Sequence, residues 1–120
     1  MRKINIGLLG CGTVGTGVAK MLIENKSLIS SRVGADLILR RVADIDIKRD
    51  RGLKFDDGVL IANAQDVVDD PEIDIIIEMI GGEGIARELI LRAIDHRKPV
   101  VTANKALLAS QGDVIFKAAA

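Results

Sequence analysis

Apolar and polar positions follow two rhythms along the chain. Ile4, Ile6, Leu8 and Leu9 form a short apolar run of the kind buried on both faces of a parallel sheet. Val14, Val18, Met21 and Leu22 then recur at helical spacing. A polar connection follows over residues 25–32, and Leu37 to Ala43 predicts a second strand. A weak third strand falls near Val59 to Ile61. In "DIIIEMIGG", Ile75, Ile76 and Ile77 form an unbroken apolar row that predicts the fourth. Ala86, Leu89, Ile90 and Ala93 then space as an amphipathic helix, with Glu88 and Arg92 placed for an i,i+4 pair. "PVVT" supplies a fifth strand. Parallel strands need crossover helices, so this alternation predicts an α/β chain folded as a doubly wound parallel sheet.

The first strand-to-helix junction carries a motif. Gly10-Cys11-Gly12-Thr13-Val14-Gly15 reads G-x-G-x-x-G between a predicted strand and a predicted helix, the setting that gives the pattern meaning. Gly10 would permit the tight turn, Gly12 would let backbone approach a pyrophosphate, and Gly15 would let helix and strand pack closely. Free N–H groups around Thr13 and Val14 would then meet phosphate. These features predict a Rossmann-type dinucleotide site. Its ribose acid is expected at the end of the second strand, where Asp44 stands in "RRVADID". The separation from Gly15 is longer than the usual ~20 positions, and the polar stretch after residue 25 accounts for the excess. A carboxylate there would repel a 2′-phosphate and favour NAD over NADP. Asp46, or simple hydration of either acid, is the alternative.

Gly81-Gly82 closes the fourth strand at the carboxyl edge, where side-chain-free backbone would let ribose and nicotinamide lie close. "PVVTANKALLA" runs from strand to helix, with Thr102 and Asn104 as cap types and Lys105 in the first helical turn. A cation is disfavoured at that end of the macrodipole. Lys105 therefore implies an anionic partner, a cofactor phosphate or a substrate carboxylate, unless it is an ordinary surface lysine. His96 precedes a turn at a helix C-terminus and reads as a cap for the dipole.

Composition narrows the classes. With 120 residues, 48% hydrophobic and 28% charged, the chain is one globular domain, 1–120. Seventeen basic residues balance seventeen acidic ones, and two Phe stand without Tyr or Trp, so nucleic acid is not an expected partner. The runs Arg40-Arg41 and Lys48-Arg49-Asp50-Arg51 read as solvated surface. Cys11 has no partner for an internal disulfide and reads as a small space-filler. No run approaches a membrane span, and the apolar start lacks a cleavage pattern, so a cytoplasmic protein is expected. "DVIFKAAA" ends without a helix stop signal, and five strands stand where such folds usually have six. A continuation beyond Ala120 is expected.

Together, "IGLLGCGTVGTGV", "EMIGG" before "ARELILRA", and "VVTANKALLA" resemble homoserine dehydrogenase over essentially the whole chain. The resemblance implies its N-terminal domain, which binds NAD or NADP through Gly10, Gly12, Thr13, Val14, Gly15, Asp44, Gly81, Gly82, Thr102 and Lys105. It implies a following domain for the small-molecule substrate, carrying the acid–base lysine and substrate-binding carboxylates. The family interconverts L-aspartate 4-semialdehyde and L-homoserine on the route to threonine and methionine. A homo-oligomer is expected of the whole enzyme, and residues 1–120 alone are expected to be inactive. Two positions depart from the family pattern. Ile45 stands where Arg or Lys often meets a 2′-phosphate, and Ile85 where Pro often begins the helix. A dehydrogenase acting on another amino-acid-like aldehyde or imine, and a non-enzymatic dinucleotide sensor, are the alternatives.

Overall fold

A computed structural model describes residues 2–80 and 84–102. The strands are β1 (Lys3–Leu9), β2 (Asp36–Ala43), β3 (Leu60–Ile61), β4 (Ile75–Glu78) and β5 (Val100–Thr102). The helices are α1 (Thr13–Glu24), α2 (Lys26–Val33), α3 (Ala64–Asp69) and α4 (Gly84–Asp95). The strands form one sheet in the order β3-β2-β1-β4-β5, with every pairing parallel. The chain winds outward from central β1 in both directions, so the carboxyl ends of β1, β2 and β4 share one edge.

Strand alternation divides the core into two faces. Leu8, Val42 and Ile77 pack with Ala19 and Cys11 under α1. Leu9, Ala43 and Ile76 pack with Val67, Val68, Leu89 and Ala93 of α3 and α4. This division is the doubly wound arrangement expected from the sequence.

Three local expectations differ. Helix α2 (Lys26–Val33) forms where residues 25–32 are expected as a polar connection; it buries none of its side chains and stops at Gly34 with φ +78°. A polar stretch on the surface needs no apolar stripe to complete two helical turns, and glycine supplies the left-handed stop. Helix α1 has the expected period but a different phase. It buries Gly15, Ala19 and Leu22, whereas Val14 and Met21 are exposed, because close approach to the sheet selects small side chains. Helix α3 went unforeseen. Its signal is a cap, Asn63, whose side-chain oxygen accepts the Gln65 N–H at 2.9 Å.

Candidate functional site

The glycine loop is built by steric necessity. Gly10 has φ +89°, and a Cβ there would lie 2.9 Å from the Ile80 backbone nitrogen. A Cβ on Gly15 would fall 2.0 Å from the Gly10 carbonyl oxygen, so only glycine lets α1 seat against the end of β1. At Gly12 a Cβ would meet nothing within 4 Å. The first helical bond runs from Thr16 N–H to Gly12 C=O at 2.9 Å. The amides of Thr13, Val14 and Gly15 therefore have no helical acceptor. An open glycine face beside these donors fits an anionic group.

Asp44 ends β2 next to this loop. Its Oδ2 accepts the Cys11 N–H at 2.8 Å and its Oδ1 accepts the Asp46 N–H at 2.9 Å. Burial alone would raise the Asp44 pKa, but the amides of Asp46 and Cys11 and the Arg51 guanidinium outweigh it and hold it below the ordinary value. The carboxyl is ionised at neutral pH. Asp46 has a different task, because its Oδ1 accepts the N–H groups of Lys48 and Arg49, both at 3.1 Å, and shapes the following turn.

The basic run 48–51, expected as solvated surface, contributes a buried group. The Arg51 side chain is 2% exposed. Its Nε donates to Cys11 C=O at 2.9 Å and its Nη1 to Arg49 C=O at 3.0 Å. Its Nη2 donates to Asp46 C=O and lies 3.4 Å from Asp44 Oδ2. Arg49 Nη2 also donates to Cys11 C=O, at 2.8 Å. Sequence reasoning missed this because the partners lie at residues 11, 44, 46 and 49, and no local pattern announces them. Cys11 is fully buried between these groups and the α1 core, consistent with a space-filling role.

A cleft of about 990 Å³ opens along the carboxyl edge. Gly10 and Gly12 line it from the loop, Asp44 and Ile45 from the end of β2, Asn63 and Gln65 from α3, and Leu89 and Arg92 from α4. The cleft thus joins the loop and the acid in one concavity, at the place where ligands of open α/β sheets bind.

At the next strand pair, Glu78 is fully buried. Its Oε2 accepts the Ile80 N–H and its Oε1 the Thr102 hydroxyl, both at 2.6 Å. The carboxylate thus ties the ends of β4 and β5 together. Gly10, Gly12, Thr13, Val14, Gly15 and Asp44 come together as expected, and Thr102 sits at the same sheet edge with its proton given to Glu78. Gly81, Gly82 and Lys105 lie outside the described residues.

Two expected side-chain roles change. Arg92 does not pair with Glu88; its Nε and Nη2 donate to the two carboxylate oxygens of Asp69, each at 2.6 Å. His96 does not cap α4 with its ring, because Nε2 meets Asp69 Oδ1 at 2.9 Å. One carboxylate on α3 offers both groups a charge-assisted partner, which outcompetes a solvated glutamate or a helix-end carbonyl.

Residues 10–120 match the family described as homoserine dehydrogenase, NAD binding domain. A homoserine dehydrogenase of Methylobacillus glycogenes is 46% identical over 109 residues, 91% of this chain and 26% of that protein. The structure of a homoserine dehydrogenase from Thiobacillus denitrificans superposes with TM-score 0.89 and 47% identity, over 99% of this chain and 27% of that one. A hyperthermophilic archaeal homoserine dehydrogenase, in complex with NADPH, shares the fold at TM-score 0.73 and 22% identity, covering 98% of this chain and 40% of that one. The chain spans about a quarter of the length of the curated relatives it matches. The family match begins at Gly10, the first residue of the glycine loop, and on that extent the chain belongs to the homoserine dehydrogenase family as its NAD-binding domain.

Proposed function

We propose that this chain holds the dinucleotide, NAD in preference to NADP, for the interconversion of L-aspartate 4-semialdehyde and L-homoserine. The observation that carries the reading is the open face of Gly12 beside the unsatisfied amides of Thr13 and Val14, with ionised Asp44 in the same cleft. When bound, the nicotinamide ring gives or takes the hydride. The residues of this chain bind and orient. Loop amides receive the pyrophosphate, and Gly15 keeps α1 close enough to present them. Each Asp44 oxygen has more than one acceptor position, so the carboxylate can take a ribose hydroxyl while keeping its backbone amides. Ile45 is 96% exposed and supplies no cation for a 2′-phosphate, and Arg49 turns one end of its guanidinium to Cys11.

Gly81, Gly82 and Thr102 are proposed to face the nicotinamide half, and Lys105 to hold a cofactor phosphate or the substrate carboxylate. The substrate and the acid–base group are assigned to the part of the enzyme beyond residues 1–120. The free thiol of Cys11 suits a reducing compartment, and we assign the protein to the cytoplasm. Calorimetry with NAD and NADP, and an assay for homoserine-dependent reduction, test the reading. We expect NAD to bind more tightly and residues 1–120 alone to give no turnover. Tighter NADP binding would refute the Asp44 assignment, and turnover by 1–120 would refute the division of labour.

A further inference from the structure

We propose that Arg51 is the positioning residue of the dinucleotide site. Its guanidinium sets the Cys11–Gly12 peptide and the Asp44 carboxylate in their binding arrangement before any ligand arrives. The inference rests on the dinucleotide reading above and assigns a role to a residue that reading does not use.

The geometry is a closed ring through one residue. Cys11 N–H donates to Asp44, Asp44 lies beside Arg51, and Arg51 donates back to Cys11 C=O. Both backbone groups of Cys11 are thereby held by opposite charges that also hold each other. The Cys11 carbonyl takes two further donors, Thr16 Oγ1 at 3.1 Å and Arg49 Nη2 at 2.8 Å. A trans peptide is planar, so fixing this oxygen directs the Gly12 N–H to the opposite side. The donors gathered on Cys11 thus set the orientation of the glycine that faces open space.

Burial excludes the simpler alternative of direct contact. With 2% of its side chain exposed, Arg51 cannot act as a surface cation for phosphate. Its other donors go to the Asp46 and Arg49 carbonyls, closing the 46–51 turn onto the glycine loop. A rigid planar fork can serve these divergent acceptors together, whereas an ammonium carries the same charge without that geometry. Two separable contributions follow. The fork preorganises the loop for any dinucleotide. The charge offsets Asp44, which matters most for a ligand bearing a 2′-phosphate.

The test is calorimetry of NAD and NADP binding to the full chain as wild type, Arg51→Lys and Arg51→Met, with thermal melts to follow folding. For Arg51→Met we expect roughly tenfold weaker NAD binding, the lower end for a lost hydrogen bond to a charged group. NADP should weaken about threefold more, because the Asp44 charge is then less compensated. Arg51→Lys should keep the common loss but restore the wild-type ratio of NADP to NAD affinity. Folded Arg51→Met with wild-type affinity for both cofactors would overturn the proposal. So would equal losses for both cofactors, with the Lys variant no different in ratio, since ordinary destabilisation does that. If Arg51→Met does not fold, Arg51→Lys decides alone. A several-fold loss for both cofactors in a Lys variant that the melts show fully folded at the assay temperature supports the proposal. Unchanged affinity, or a loss no larger than the unfolded fraction accounts for, overturns it. A wild type that binds neither cofactor would instead refute the dinucleotide reading, and this inference with it.

Discussion

Two carboxylates, Asp44 and Asp69, each meet an arginine, and one member of each pair, Asp44 and Arg92, lines the same cleft. At the end of β2, Asp44 faces a guanidinium that is almost wholly buried and is shared among three backbone carbonyls. Between α3 and α4, Asp69 makes a two-pronged contact with Arg92 that is better aligned but open to water, with side chains 35% and 45% exposed. The better-shaped ion pair is therefore not the more consequential one. Exposed pairs gain little because water and salt already solvate both ends. A buried pair adds little over an apolar substitute, yet losing one partner strands groups that have no water to turn to. What separates the regions is the backbone: Asp44 and Arg51 both hold the main chain of Cys11, whereas Asp69 and Arg92 join two helix surfaces.

The largest expected effect follows from removing the buried cation. Arg51→Met leaves the Asp46 and Arg49 carbonyls without this donor and Asp44 without its countercharge. Asp44 keeps two amides and some water, which limits the damage. We expect a loss of about 2–4 kcal/mol in urea denaturation, between the cost of unsatisfied buried groups and that of a broken buried pair. A loss no greater than that of Arg92→Gln would break the comparison.

Next in size is the effect of Asp44→Ala on cofactor choice. Placing a dianionic 2′-phosphate beside an ionised carboxylate should cost roughly 1–3 kcal/mol, so NAD should lead and the substitution should narrow the gap. The substitution should also leave the Cys11 N–H without its carboxylate acceptor, lowering affinity for both cofactors. Competitive titrations with NAD and NADP read both changes. An unaltered ratio would leave Asp44 as a loop support only.

The reach of sequence reasoning follows the same division. Features set by local periodicity were legible: the run ending in Leu8 and Leu9, the spacing of Leu89 and Ala93, and the glycines of the loop. Asp44 was legible because a strand end and a short turn fix its place relative to Gly10. Arg51 was not, because a charged residue between Asp50 and Gly52 carries no local mark of burial. Its environment is made by carbonyls and a carboxylate that chain closure brings together. The Arg92 and His96 contacts failed for a related reason, since Asp69 belongs to a six-residue helix too short to show a period. Lys105, outside the described residues, stood out in the sequence because a cation at a predicted helix start is disfavoured. We expect Lys105→Met to weaken dinucleotide binding by roughly 1–3 kcal/mol, measured by calorimetry.

The smallest effect distinguishes the two carboxylates by salt. Asp69 has its pKa lowered chiefly by the hydrogen bonds from Arg92, against some opposition from burial, with His96 adding to the lowering. Asp44 is lowered against burial by two backbone amides and a buried guanidinium. For both, the folded pKa lies below the unfolded one. Each contribution to stability is therefore present above the unfolded carboxyl value and disappears as pH falls through the folded value. Salt should act unequally on them. Charges in water are screened over about 8 Å at physiological ionic strength and far more closely at high salt, whereas hydrogen bonds inside the loop are sheltered. Titrating the side-chain carboxyl carbons by NMR at low and high salt should move Asp69 back toward the ordinary aspartate value and leave Asp44 nearly unchanged. Arg92→Gln should reduce the salt sensitivity of Asp69 to the share that His96 supplies while changing overall stability little. Equal movement of both carboxyls with salt would mean that Asp44 is open to solvent ions and that Arg51 holds it no more firmly than a surface partner would.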